Sequence, residues 1–118
     1  MENFELKDKT YRFANRAVKL HKYLQGKYND NKLAAYLLDE ALKMGVAAEQ
    51  AASVSKGKMF LQHLQEANSH LAATRFCIRL LRDAEYLDNQ QSESLLSDCS
   101  EIEHMLSGIL GSVQVGTQ

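Results

Sequence analysis

The residues with the clearest capacity for chemistry are cations set at helical spacing. Lys9, Arg12, Arg16 and Lys19 recur every third or fourth position, and Arg75, Arg79 and Arg82 do the same further on. Such spacing lines charges along one side of a helix. Two partners suit a stripe of this kind. One is a phosphate backbone, where several weak contacts add up when copies of the chain assemble. The other is the acidic end of the same chain, within or between subunits, where ion pairs set register more than stability. All 14 Lys and Arg precede residue 83, against 8 acids, for a balance of +6, whereas residues 83–118 hold 7 acids and no Lys or Arg. Nucleic-acid binders generally carry a clear positive excess. The net charge of −1 therefore favours pairing with Glu93, Asp98, Glu101 and Glu103.

Other constellations are weaker. Glu101-x-x-His104 has the spacing of a di-iron bundle ligand pair, but such a site needs a second copy and two further inward glutamates. Both residues also flank Ile102 away from the apolar face. His63 and His70 share a face with no third ligand spaced to join them. Cys99 falls inside an apolar repeat and Cys77 adjoins Phe76 and Ile78, so both read as small, reduced core residues and not as nucleophiles beside a base. No glycine-rich phosphate loop is present in the sequence. These readings predict no catalytic residue, no cofactor, no metal and no small-molecule substrate.

The elements that position the charges are helices. Proline is absent, so little interrupts a helical backbone. Phe13, Ala17, Leu20 and Leu24 define a face over residues 7–25. Gly26 to Asn31 then reads as a turn, with Asp30 or Asn31 as the cap of the next helix. Leu37, Ala41, Met44 and Ala48 mark that second helix over 32–52, widened by Leu33, Leu38 and Leu42; its Gly45-Val46-Ala47-Ala48 stretch predicts the tightest helix contact. Ser55 is the expected cap of a third helix over 56–82, where Leu64, Ala67, Leu71, Thr74, Ile78 and Leu81 repeat as a bundle seam. Leu95, Cys99, Ile102, Leu106 and Ile109 mark a fourth over 90–111, after which Gly116 to Gln118 should fray.

A chain of 118 residues with 45% hydrophobic and 25% charged residues reads as one globular domain spanning 1–118. Connections this short force successive helices antiparallel, which predicts an all-α, up-down-up-down four-helix bundle. No apolar run reaches the roughly 20 residues of a membrane span, and Met1 to Glu5 shows no basic leader, so the expected location is cytoplasmic. Tyr11, Tyr23, Tyr36, Phe60 and Phe76 fall partly outside the seams, which predicts aromatic groups at subunit contacts.

A resemblance runs through nearly the whole chain. It is carried by Asp8-Lys9-Thr10-Tyr11-Arg12-Phe13-Ala14, by Val18-Lys19-Leu20-His21-Lys22-Tyr23-Leu24, and by Leu37-Leu38 and Gly45 with Glu49 and Ala51. Ser55-Lys56-Gly57-Lys58-Met59-Phe60, Thr74-Arg75-Phe76-Cys77-Ile78-Arg79-Leu80-Leu81 and Glu85-Tyr86-Leu87 complete it. In order and spacing these resemble the bacterial four-helix-bundle proteins encoded in intervening sequences of 23S ribosomal RNA genes. The resemblance implies a ring-like homo-oligomer, with a pentamer as the expected number, and no catalytic activity. That family is also similar to the accessory proteins of diversity-generating retroelements, so the resemblance implies nucleic acid or a reverse transcriptase as an alternative partner. The chain departs from the pattern at Val46-Ala47, where relatives carry Asn after the glycine, and at Ala73, where they carry an acid.

Overall fold

Four runs of apolar residues at three- and four-residue spacing leave each segment one face to bury, and four helices result. The structure is a computed structural model that describes the backbone of residues 2–29 and 31–116 and the side chains of residues 5–29 and 31–112. The helices are α1 (Glu2–Tyr28), α2 (Lys32–Val54), α3 (Gly57–Asp83) and α4 (Asn89–Gly116). Each outruns its expected range at one end or both. In α1 the reason is visible: Leu6 and Thr10 continue the spacing of Phe13 and Ala17 backwards, and both are fully buried. The Thr10 hydroxyl donates to the Leu6 carbonyl at 2.9 Å, as Thr74 does to His70 at 2.7 Å, so a polar side chain sits in the core with its hydrogen bond satisfied.

The helix ends follow local chemistry. Asn31 caps α2 by accepting the Ala34 N–H at 3.0 Å; Asp30, the alternative cap, lies outside the described residues, as do Thr117 and Gln118, for which fraying was expected. Ser55 corrects its expected role. It closes α2 in a left-handed conformation at φ 62°, while Lys56 precedes α3 with no side-chain cap bond. Glycine at 57, with φ 92°, then allows the turn between them. At the end of α3 the Glu85 N–H reaches the Arg82 carbonyl and the Tyr86 N–H the Leu81 carbonyl, both at 2.9 Å, a Schellman closure. Glycine usually takes its left-handed position, but here Glu85 does, at φ 67°. Asp88 and Gln91 then open α4 reciprocally, the Gln91 N–H donating to Asp88 Oδ1 at 2.7 Å and the Asp88 N–H to Gln91 Oε1 at 3.0 Å. This is a capping box.

Each helix packs on its chain neighbours, and α1 also packs on α4. The molecule is an all-α, up-down-up-down four-helix bundle measuring 50 × 22 × 19 Å. Its core is one cluster drawn from all four helices, including every apolar α3 and α4 seam residue named above. Two expectations need correction. Phe60 is buried, 5% exposed, because it starts the Leu64–Ala67–Leu71 series one turn earlier; Leu42 is 46% exposed, because it points away from the Ala41–Met44 face. In the small-residue stretch Ala47 and Ala48 are buried and Val46 is turned outward. A Cβ on Gly45 would stand 3.8 Å from the Thr10 carbonyl oxygen, so this close approach is between α1 and α2. No helix among the described residues is long and apolar enough to cross a membrane.

Candidate functional site

Three surfaces concentrate the polar and exposed apolar groups. The first is the α1–α4 seam. Lys9 Nζ lies 3.1 Å from Asp98 Oδ1 and also pairs with Glu101. Arg16 Nη1 reaches Asp98 Oδ2 at 2.5 Å, and Nη2 donates to Ser94 Oγ at 2.9 Å. Burial pushes the Asp98 carboxyl up, but the hydrogen bonds from Arg16 and Lys9 outweigh it and hold the group below its ordinary value. Lys9 moves the other way: its hydrogen bond to Glu101, opposed by burial and aided by Asp98, raises the ammonium above its usual range. Each ion thus stabilises the charged form of its partner.

The seven cations of the two stripes separate by partner. Lys9 and Arg16 pair with α4 as above, and Arg75 Nη2 pairs with Glu103 of α4 at 2.6 Å. Arg12 pairs within its own helix with Asp8 at 2.8 Å, and Arg82 with adjacent Asp83 at 3.0 Å. Lys19 and Arg79 are exposed, and neither makes an ion pair among the described residues. The acidic helix therefore takes three of the seven. Of the four acids named as its pairing groups, Glu93 alone takes none of them.

The second surface is the outer side of α2 and α3. Leu42 and Val46 of α2 and Phe76 and Leu80 of α3 are 38–57% exposed, with Tyr36 and Met59 both at 53%. Between the helices runs a groove of about 280 Å³, lined by Leu42, Val46, Ala47, Glu66 and His70 among others. Sequence reasoning missed the pair beside it: Glu40 is buried, 7% exposed, and its Oε1 lies 2.8 Å from His70 Nδ1. Lys43 approaches the same carboxylate at 3.8 Å. The signal was available, because Glu40 stands three residues after Leu37 and four before Met44, squarely on the apolar face.

The third surface is the end of the bundle where α1 meets the α3–α4 turn. Tyr23, Lys27, Tyr28, Arg82, Glu85 and Tyr86 help line a polar pocket of about 470 Å³ there.

Both cysteines are buried. Burial, reinforced by the Glu40 charge, pushes the Cys77 thiol up. Burial also pushes Cys99 up to about 12, against the pull of Arg75. Both remain thiols at neutral pH, and the thiolate is the nucleophile. Glu101 and His104 are exposed. Among the described residues no group of three or more His, Cys, Asp or Glu could hold a metal ion.

No family model matches the sequence, and no curated protein does. A solved structure does match. It is the crystal structure of a protein of unknown function from the S23 ribosomal protein family of Bacteroides thetaiotaomicron, similar with a TM-score of 0.89 and 27% sequence identity over 94% of this chain and 99% of that one. In sequence and in fold, the chain resembles the four-helix bundles of the S23 ribosomal protein family.

Proposed function

We propose that the protein works by binding and not by catalysis, as a homo-oligomeric bundle whose outer α2–α3 face seats a second copy. The observation that supports this reading is the exposure of apolar side chains on both helices of this face, Leu42 and Val46 on α2 and Phe76 and Leu80 on α3, each 38–57% exposed. Fully burying an aliphatic or phenylalanine side chain stabilises by about 1.5–3 kcal/mol, and covering the half of each that is still exposed contributes roughly half of that per side chain to association. A contact between this face and a different face of the next copy closes into a ring when the rotation permits, and the family resemblance makes a pentamer the expected number. The division between cationic α1–α3 and acidic α4 would orient successive copies.

Light scattering on the pure protein at micromolar concentration tests the reading. The wild type is expected to run as an oligomer, and Val46→Glu to shift it to monomer with its helical circular dichroism intact. A monomeric wild type would overturn the proposal.

The alternative is a nucleic-acid-binding accessory protein that partners a reverse transcriptase. Its support is the unpaired Lys19 and Arg79, two cations of the seven. A mobility-shift assay across salt reads it directly, since phosphate contacts weaken steeply as salt rises.

A further inference from the structure

The pocket at the α1 end differs from the other surface depressions in its chemistry. Its volume of about 470 Å³ falls within the roughly 300–1,000 Å³ of small-ligand sites. Three of the chain's five tyrosines line it. Tyr28 and Tyr86 meet edge to face with centroids 4.9 Å apart. Lys27 lies over the rings of Tyr23 and Tyr28 at 5.7 and 5.4 Å, and its bond to the Tyr23 hydroxyl is long, 3.5 Å, so its ammonium is available to a better acceptor. Arg82 spends Nε on Asp83 at 3.0 Å, and its terminal amines make no hydrogen bond among the described residues.

The acids divide likewise. Asp88 is engaged with Gln91 in the capping box. Glu85 is exposed and stands in the left-handed conformation at φ 67°, where a residue with a side chain costs about 1–2 kcal/mol. A carboxylate is thus held at the pocket in a position where glycine would relax the backbone.

We propose that this pocket binds a nucleoside monophosphate whose base carries an exocyclic amino group. The base lies against the faces of Tyr23 and Tyr28 that Lys27 uncovers when it turns to the phosphate, since aromatic rings stack on any base. Its exocyclic amino hydrogens are donated to the Glu85 carboxylate. The phosphate takes the Lys27 ammonium and the terminal amines of Arg82 through charge-assisted hydrogen bonds. A simple anion would leave the Glu85 carboxylate and the Tyr86 ring without a role, and an organic cation would leave Lys27 and Arg82 without one. The site is separate from the α2–α3 face and does not depend on the assembly proposed above.

Isothermal titration of the full chain, with proton NMR of the tyrosine rings, provides the test. Adenosine monophosphate is expected to bind saturably and to shift the ring resonances. Ribose 5-phosphate, which lacks the base, and adenosine, which lacks the phosphate, should each bind at least about tenfold more weakly, the usual size of a lost stacking or charge-assisted contact. Lys27→Ala and Arg82→Ala should weaken the monophosphate by about tenfold while leaving adenosine unaffected; Tyr23→Leu should weaken it without affecting ribose 5-phosphate. Circular dichroism checks that each variant is folded. Tighter binding of a 5′-phosphorylated trinucleotide identifies a strand end as the source of the nucleotide, and equal binding identifies the free compound; either supports the site. Equal affinity for the monophosphate and ribose 5-phosphate, no saturation at millimolar concentration, or no effect of Lys27→Ala with Arg82→Ala overturns it.

Discussion

Two seams of the bundle each enclose a carboxylate, and they treat it differently. Between α1 and α4, Asp98 sits under two cations from another helix, Lys9 and Arg16. Between α2 and α3, Glu40 is buried more deeply, with a half-exposed imidazole at 2.8 Å and a lysine at 3.8 Å. Among the described residues the contact between α2 and α3 is also the most extensive, and that between α1 and α4 the least. Ala34, Ala41, Ala47, Ala48 and Ala51 on α2 and Ala67 on α3 are buried, and small side chains let helices approach closely. Where backbones approach closely, apolar packing supplies the cohesion and an acid is an addition to it. Where the contact is smaller, ion pairs contribute more to how the helices align.

This contrast predicts an order of effects. Leu71→Ala, at a position 2% exposed, should cost about 2–5 kcal/mol in urea unfolding, the usual loss for a buried leucine. A cost near zero would mean that apolar packing does not hold α3 in place. Asp98→Asn should cost about 1–3 kcal/mol, because Lys9 and Arg16 keep their charges and lose the carboxylate that bonded them. That loss must depend on pH. The native carboxyl titrates below its ordinary 3.8, so its contribution is complete above that value and disappears as pH falls through the lowered one. Wild type and variant should therefore converge in acid; a gap that persists there would assign the loss to packing. Lys9, raised above 10.5, contributes below that value and loses its contribution as pH rises through the raised one. Glu40→Leu should change stability least, within about 1 kcal/mol, since its partners His70 and Lys43 are partly exposed and can turn to water, and the buried position takes an apolar side chain. A loss as large as that of Asp98→Asn would erase the distinction between the seams.

Much of the fold was legible because apolar spacing is a local property. Leu64 to Leu81 on α3 and Leu95 to Ile109 on α4 could be assigned to one face without knowing what they touched, and the apolar residues of both series are buried. The errors came where a residue has two uses. Ser55 can cap a helix at either end, and only the chain's path decides between closing α2 and opening α3. Thr10 reads as polar until its hydroxyl is given the Leu6 carbonyl, and so the first turns of α1 were missed. Leu42 is hydrophobic but lies beyond the arc of α2 that faces the core. The stripes could be placed on their faces, but not their partners: Lys9 meets Asp98 across 89 positions of sequence, and that meeting depends on how α4 is rotated against α1. The tyrosine pocket was hidden for the same reason, since it joins the end of α1 to a turn far along the chain.

The two buried thiols turn the core into its own clock. Cys77 is 2% exposed on α3 and Cys99 is fully buried on α4. A thiol reagent in solution reaches neither until its part of the bundle opens. Labelling each in a single-cysteine variant would time the separation of the two halves independently, and unequal rates would show which one lets go first.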